Sequence, residues 1–401
     1  MKIVLFSEEY EKVTPGLVNV WLNHAREASK EHRVDILLNH EHWAFDEAGA
    51  TLGAAATVHR LPFDMPGTLL KRAFRLDGRP RLRAARSALA RTLNRVFSPL
   101  IILFLYARLR GMRPDAVFSH SGGWPSGQLG RWIIVAAALA RVPARVLIIH
   151  SHPLKITRSY LAPLRFLQAR LMDLCATSLV AVSDSVKAAL ESEGFKRPLV
   201  RIHNGIPAVP GKEGAPLGWQ PSGPAVGFAG ALNAAKGPQV LLDAFRLVET
   251  PCELTLLGPA EDPAFLKTLE QKAALCANKV SFLGFHQNVD SFMEKIDLLV
   301  VPAIAAESFS LVVLEAMKHK KPVVCSDFGG MKEVVQDGAT GIVTPAGDAP
   351  ALAAAIAKLL ADEGLRTRLG AAGHRRLNEL FTSEKMALRY DELLPAAGAA
   401  R

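Results

Sequence analysis

Short apolar runs alternate with longer stretches of helical periodicity from the first residues onward. Residues 2–6 (KIVLF), 33–38 (RVDILL), 115–119 (DAVFS), 145–149 (RVLII) and 179–182 (LVAV) predict buried strands. Helix-length patterns lie between them, among them 17–31, 127–141 and 184–194. Residues 205–224 break the rhythm with a Gly- and Pro-rich stretch, which predicts a linker. Beyond it the alternation restarts. Strands are predicted at 225–229, 253–257, 279–283, 297–301 and 322–325, and helices at 237–248, 263–276, 310–319 and 349–361. This alternation implies parallel strands with helices on both faces. The pattern predicts an α/β chain of two doubly wound, Rossmann-like domains joined near residue 208 and facing a central cleft. Ligands in such sheets lie beyond the carboxyl ends of the strands, so the cleft is the expected site.

Composition changes this picture in two places. The 401 residues are 49% hydrophobic and 21% charged, which excludes a mostly disordered chain. Cys175, Cys252, Cys276 and Cys325 form no C-x-x-C pair, which speaks against a zinc ribbon or a redox motif. Scattered thiols, and an N-terminus (MKIVLFSEEYEK) whose apolar run ends in acids, fit a cytoplasmic protein opening on a strand. The formal net charge of +10 is local. Residues 71–113 hold twelve Lys and Arg against one acid, Asp77, and the rest of the chain nets −1. Confined charge of this kind points to a local anionic partner rather than to nucleic acid, and no nucleic-acid recognition motif is visible.

Within that window Leu89, Leu93, Val96, Phe97 and Leu100 recur at helical spacing among Arg83, Arg86, Arg91 and Arg95. A basic amphipathic helix suits an anionic bilayer surface. The apolar run 96–107 is too short to span a bilayer and contains Pro99, an expected interruption. The expectation is a protein held peripherally on the inner face of the cell membrane, with a lipid-linked or membrane-embedded acceptor.

Candidate chemistry gathers around AESFSLVVLEAM. Glu307 lies just before a predicted helix, with Ser308 or Ser310 as N-cap, and Glu315 lies within it. Eight residues at helical rise separate the two carboxylates by about 12 Å. Each can then hold one end of an elongated ligand, since carboxylates accept well from sugar hydroxyls. Free N–H groups at the helix start, around Phe309, Ser310 and Leu311, suit an anion such as a diphosphate. Residues 121–127 (SGGWPSG) are glycine-rich but lack G-K-[ST], so they are not a phosphate loop of the Walker kind.

The stretch continues as EAMKHKKPVVCSDFGGMKEVVQDGATGIVTP and resembles the E-x7-E signature of family 4 glycosyltransferases with the GT-B fold. Other landmarks follow in order: AVSDSVKAALESEG, VRIHNGIP, GFAGALNAAKGPQVLLDAF and FLGFHQNVDSFMEKIDLLVVP. The resemblance covers roughly residues 175–360 well, and the first 145 loosely. It implies transfer of a sugar from a nucleotide-diphosphate donor with retention of configuration, without a metal or cofactor. It implies domains at 1–207 (acceptor and membrane side) and 208–376 (donor side), with a C-terminal helix, 377–401, returning to the first.

Residue by residue, the resemblance implies that Glu307 binds hydroxyls of the donor hexose, Glu315 binds the ribose and Lys236 neutralises the departing diphosphate. Gly230 belongs to the donor-side glycine turn and Gly16 to an acceptor-side glycine loop. His150, after the strand RVLII, resembles the family's histidine beside the transfer centre, with His152 and His120 as neighbouring candidates. The chain departs from the family at Ala231, where an Arg is usual, so one phosphate cation is missing there. That departure keeps a second reading in view: a catalytically weak sugar-nucleotide-binding partner protein. A sugar-nucleotide epimerase on the same fold is a third, against which the full E-x7-E context speaks.

Overall fold

A computed structural model of the chain describes residues 1–9, 15–66, 80–125, 127–153, 162–211, 216–260, 262–305 and 307–396. Contacts divide it into two units. The first comprises Met1–Val182, Val186–Ile202 and Ala387–Arg401, and the second Ser183–Ser185 and His203–Met386.

The first unit holds seven parallel strands: β1 (Lys2–Ser7), β2 (Arg33–Leu38), β3 (Ala56–Arg60), β4 (Ala116–Ser121), β5 (Ala144–Ile149), β6 (Ser178–Ala181) and β7 (Leu199–Arg201). Their order is β3-β2-β1-β4-β5-β6-β7. The second holds six: β8 (Ala225–Ala229), β9 (Glu253–Leu257), β10 (Lys279–Gly284), β11 (Leu298–Val301), β12 (Val323–Ser326) and β13 (Gly341–Thr344), ordered β10-β9-β8-β11-β12-β13. In each sheet the winding reverses beside the first strand, between β1 and β4 and between β8 and β11. Such reversal points open a crevice at the strands' carboxyl ends.

The central strands are buried on both faces, which is why they read as unbroken apolar runs. Ile3, Leu5, Ile36, Val117 and Ile148 form the core of the first sheet. Phe228, Leu254, Leu256, Val300 and Val324 meet Leu241, Phe245, Ile356 and Leu359 from the helices of the second. The three strands absent from the sequence pattern, β3, β7 and β13, all lie at sheet edges. Each is only partly buried, so none shows a continuous apolar run.

The division falls at His203, before the predicted join at 208. Ile206 is already tied to the second unit: its N–H donates to Phe381 O (3.1 Å), and Ser383 N–H donates to Ile206 O (2.8 Å). The chain re-enters the first unit at Ala387 rather than at 377, because the helix Glu363–Leu380 packs in the second unit. Pro99 does not interrupt its segment. It lies inside a continuous helix, Pro80–Met112. A proline there removes one backbone hydrogen bond, which a helix of 33 residues absorbs.

Candidate functional site

In the second unit the site grows from the loops that follow β8 and β11. Gly230 leaves β8 with its N–H bonded to Leu257 O (2.9 Å). Ala234–Lys236 then forms one tight turn, capped by the Asn233 side chain, which accepts the Lys236 N–H (3.2 Å). Gly237 follows in the left-handed region (φ +74°), and a Cβ on it would lie 1.9 Å from Pro302 O. Only glycine lets this turn lie against the exit of β11. Ile304 N–H donates to Ala235 O (3.0 Å), lacing the two loops together.

This lacing brings the Lys236 ammonium 2.5 Å from Glu307 Oε2. The Lys236 side chain is 34% exposed and that of Glu307 13%. A half-open ion pair contributes little to stability, so its partners are free to exchange one another for a ligand. The Glu307 backbone is fixed from behind by Gly330, whose N–H donates to Glu307 O (2.8 Å). A Cβ on Gly329 (φ +60°) would lie 2.3 Å from the same oxygen.

Glu315 lies on the helix Leu311–Lys318. Ser310 occupies the N-cap position, but its hydroxyl makes no capping hydrogen bond. The Phe309 ring is buried and stacked on His203 (5.3 Å between centroids), so this segment offers its backbone rather than that ring. Burial pushes the Glu315 carboxyl up, and Lys318, 2.5 Å away, opposes the shift. Lys318 is itself buried and also meets Asp290 at 2.7 Å. Burial alone would raise Asp290, but contacts from His319 (2.7 Å) and Lys318 and the Gly211 N–H hold it at about 2. Sequence reasoning did not single out Lys318, Asp290 or His319. The i, i+3 spacing of Glu315 and Lys318 was the available signal.

The first unit builds a different kind of site. His150 follows β5, and its N–H donates to Ser121 O (3.0 Å). Its Nε2 lies 3.0 Å from Nδ1 of His120, at the end of β4. His120 Nε2 lies 3.1 Å from Nδ1 of His24, on the helix Pro15–Ala28. His24 stacks on Tyr390 of the returning segment (4.4 Å). Burial pushes His24 down to about 3 and His120 well below its ordinary value, so both are neutral at physiological pH. His24 and Tyr390 escaped the sequence reading. Two residues past β1, burial raises the Glu9 carboxyl to about 7 against a hydrogen bond from Trp43 Nε1–H (3.0 Å). Gly16 lies in the first turn of the helix Pro15–Ala28.

The basic segment is the helix Pro80–Met112. Leu89, Val96, Phe97, Leu100 and Leu103 are exposed along one stripe, while Ala90, Ile101, Leu105 and Leu109 are buried. Arg95 is exposed, about a third of a turn from that stripe, and Arg86 is half-buried. The side chains of Arg83 and Arg91 lie outside those described, as do residues Lys71, Arg72, Arg75 and Arg79. Thr92–Met112 is long and apolar enough to cross a membrane by length and composition, and 22% of its most apolar window is buried.

Two parallel sheets, each with its reversal point beside the first strand, define the class as the GT-B fold. HepE of Anabaena, solved in complex with UDP, superimposes with a TM-score of 0.72 at 20% identity, over 98% of this chain and 99% of that one. Residues 223–362 match the model for glycosyl transferases group 1, and residues 14–208 that for glycosyltransferase family 4. A D-inositol 3-phosphate glycosyltransferase of Xylanimonas cellulosilytica is 31% identical over 302 residues, 68% of this chain and 70% of that protein. A phosphatidyl-myo-inositol mannosyltransferase of Mycobacterium leprae is 34% identical over 202 residues, 48% of this chain. The chain spans about half the length of that relative (52%). The chain belongs to glycosyltransferase family 4.

Proposed function

We propose that this protein transfers a sugar, with retention of configuration, from a nucleotide-diphosphate donor to a lipid-linked or polysaccharide acceptor at an anionic membrane surface. The observation that carries the reading is the Lys236–Glu307 pair, 2.5 Å apart at the switch point of the second sheet. Donor binding separates the two. The Lys236 ammonium moves onto the diphosphate, and Glu307 accepts hydrogen bonds from hexose hydroxyls. As the bond from the anomeric carbon to the phosphate oxygen breaks, negative charge grows on the diphosphate. Lys236 and the backbone N–H groups at Ser308–Leu311 meet it there, and the reading asks for no metal or cofactor. Glu315 takes the ribose hydroxyls. The acceptor hydroxyl oxygen bonds to the same face of the sugar that the diphosphate leaves, and its proton passes to the departing phosphate oxygen.

HepE was solved with UDP, and the mycobacterial relative is named for a phosphoinositide; both support this donor and acceptor chemistry. The exposed apolar stripe on Pro80–Met112, within the basic window, supports docking on the cytoplasmic leaflet. The test is a screen of UDP-, GDP-, ADP- and dTDP-sugars by thermal shift, followed by transfer assays on anionic vesicles. The reading expects one donor to bind and turn over, and turnover to vanish in Glu307→Ala. Tight binding with no turnover by the native chain would instead favour a sugar-nucleotide-binding partner, the reading that Ala231 keeps open.

A further inference from the structure

The amino ends of β1 and β2 carry a charged cluster at the opposite end of the strands from the crevice. Lys2 pairs in register with Arg33, and Leu37 with His59. Alternate residues of a strand share a face, so Lys2, Arg33, Asp35 and His59 stand on one face of the sheet. Between that face and the last turns of the helix Pro80–Met112 lies an open cavity of about 450 Å³, lined by these four residues and by Ala107, Arg108 and Gly111 of the helix. Asp35 anchors the cluster. It is buried, and its carboxylate meets Lys2 Nζ at 3.3 Å and His59 Nε2 at 2.7 Å. A guanidinium only donates. His59 Nδ1, 3.2 Å from Arg108 Nη2, therefore accepts, and His59 Nε2–H donates to Asp35. One carboxylate thus stands among three cations, Lys2, Arg33 and Arg108. The Arg33 guanidinium has no hydrogen-bond or ion-pair partner among the described residues, and Arg33 and Arg108 are exposed. The surplus positive charge asks for an anion, and arginine forks match the oxygens of a phosphate. The carbonyl end of a helix opposes an anion by about half a charge, which the three cations outweigh.

The helix indicates where that anion comes from. At about 100° per residue, Ala107 and Gly111 fall in line with Leu89, Val96, Leu100 and Leu103. All six are exposed. The apolar stripe therefore runs into the mouth of the cavity. A free phosphate has no use for such a stripe, whereas a phospholipid uses both features at once. We propose that this cavity binds the phosphodiester of an anionic phospholipid, with Lys2, Arg33 and Arg108 on its oxygens and Asp35 holding Lys2 and His59 in place. The proposal rests on the docking of the helix on an anionic leaflet, and adds to it a defined headgroup site on strands outside the helix.

Dihexanoyl phosphatidylglycerol, dispersed below its micelle concentration and titrated into the full chain by calorimetry, tests it. Saturable binding is expected. Arg33→Gln and Arg108→Gln, both at exposed positions, should each weaken it by about 10-fold or more, the worth of one charge-assisted hydrogen bond. Arg110→Gln, the same change of charge on the same helix outside the cavity, should leave it nearly unchanged. Inorganic phosphate and dihexanoyl phosphatidylcholine should both bind more weakly than the anionic lipid. Absence of saturable binding overturns the proposal, as does an equal loss in Arg110→Gln. Phosphate binding as tightly as the lipid overturns it in favour of a free-phosphate site, and equal binding of phosphatidylcholine overturns the role of charge. A native chain that sediments with anionic vesicles yet ignores the dispersed lipid keeps the docking and loses the headgroup site. Saturable lipid binding without vesicle binding keeps the site and sinks the docking.

Discussion

The two units hold their functional polar atoms by opposite means. The second uses opposite charges: Lys236 on Glu307, and Lys318 between Glu315 and Asp290. The first uses imidazole rings in a hydrogen-bonded file, with burial removing the charge of His24 and His120. Ion pairs of modest exposure are exchangeable, which suits a site that takes up and releases an anion. A buried file of rings is held by hydrogen bonds and stacking instead, which suits a fixed scaffold behind a site. The lesson is that burial alone does not decide ionisation; burial with a counter-charge keeps Lys318 charged, and burial without one neutralises His24.

Four experiments test that contrast. The largest effect is expected from Lys318→Met, which takes a buried ammonium away from two half-buried carboxylates. It should cost about 3–5 kcal/mol of stability in urea unfolding, and it should weaken donor binding because Glu315 then takes up a proton more readily. A variant of native stability would mean that the lysine is not what holds these carboxylates. Next, Lys236→Ala should slow transfer by about 100–1,000-fold, as loss of one stabilising donor at a developing anion does, with stability nearly unchanged. A fall in stability matching the loss of rate would reverse the assignment.

Acid titration separates the two devices. The folded pKa of His24, about 3, lies below its ordinary 6.5. Its contribution is therefore complete above pH 6.5 and is lost as pH falls toward 3. Each such histidine steepens the decline by about 1.4 kcal/mol per pH unit. Asp290, held at about 2 from 3.8, begins to lose its contribution only below about pH 4. Stability measured from pH 7 to 4 should thus fall less steeply in His24→Phe, while Asp290→Asn should leave that slope alone. The smallest effect is on the basic helix. Arg95→Glu should weaken binding to anionic vesicles by about 1 kcal/mol or more, the worth of a surface cation near such lipids, and salt should narrow the difference. Equal binding to neutral vesicles would remove the electrostatic part of the docking.

How much of this was legible follows sequence distance. The Lys236–Gly237 turn and the Glu307–Glu315 spacing are local, so the residues could be picked out from a few letters each. Lys236 and Glu307 meet because β8 and β11 are neighbours, a fact that the restarting βα rhythm implies. The histidine file was half visible. His150 and His120 end strands predicted from their apolar runs, but His24 lies 96 residues from His120, on a helix whose inward face shows no special pattern. Tyr390 joins it only through the return of the chain. Lys318 was read past because a lysine on a helix is usually solvated; here Glu315 and Asp290 draw it inside. The edge strands β3, β7 and β13 were missed for want of an apolar run, and their exposure is the reason.

The connectivity has a consequence for biosynthesis. Residues 203–386 form the second unit as nearly one uninterrupted stretch, with Ile206 bonded to Phe381 and Ser383 at its two ends. The first unit is begun at the N-terminus and closed only by the segment from Ala387, which supplies the ring over His24. A growing chain therefore emerges from the ribosome with its earlier half still open while the later half can already fold. A stop codon just before Tyr390 would spare the half nearest the truncation and damage the one made first.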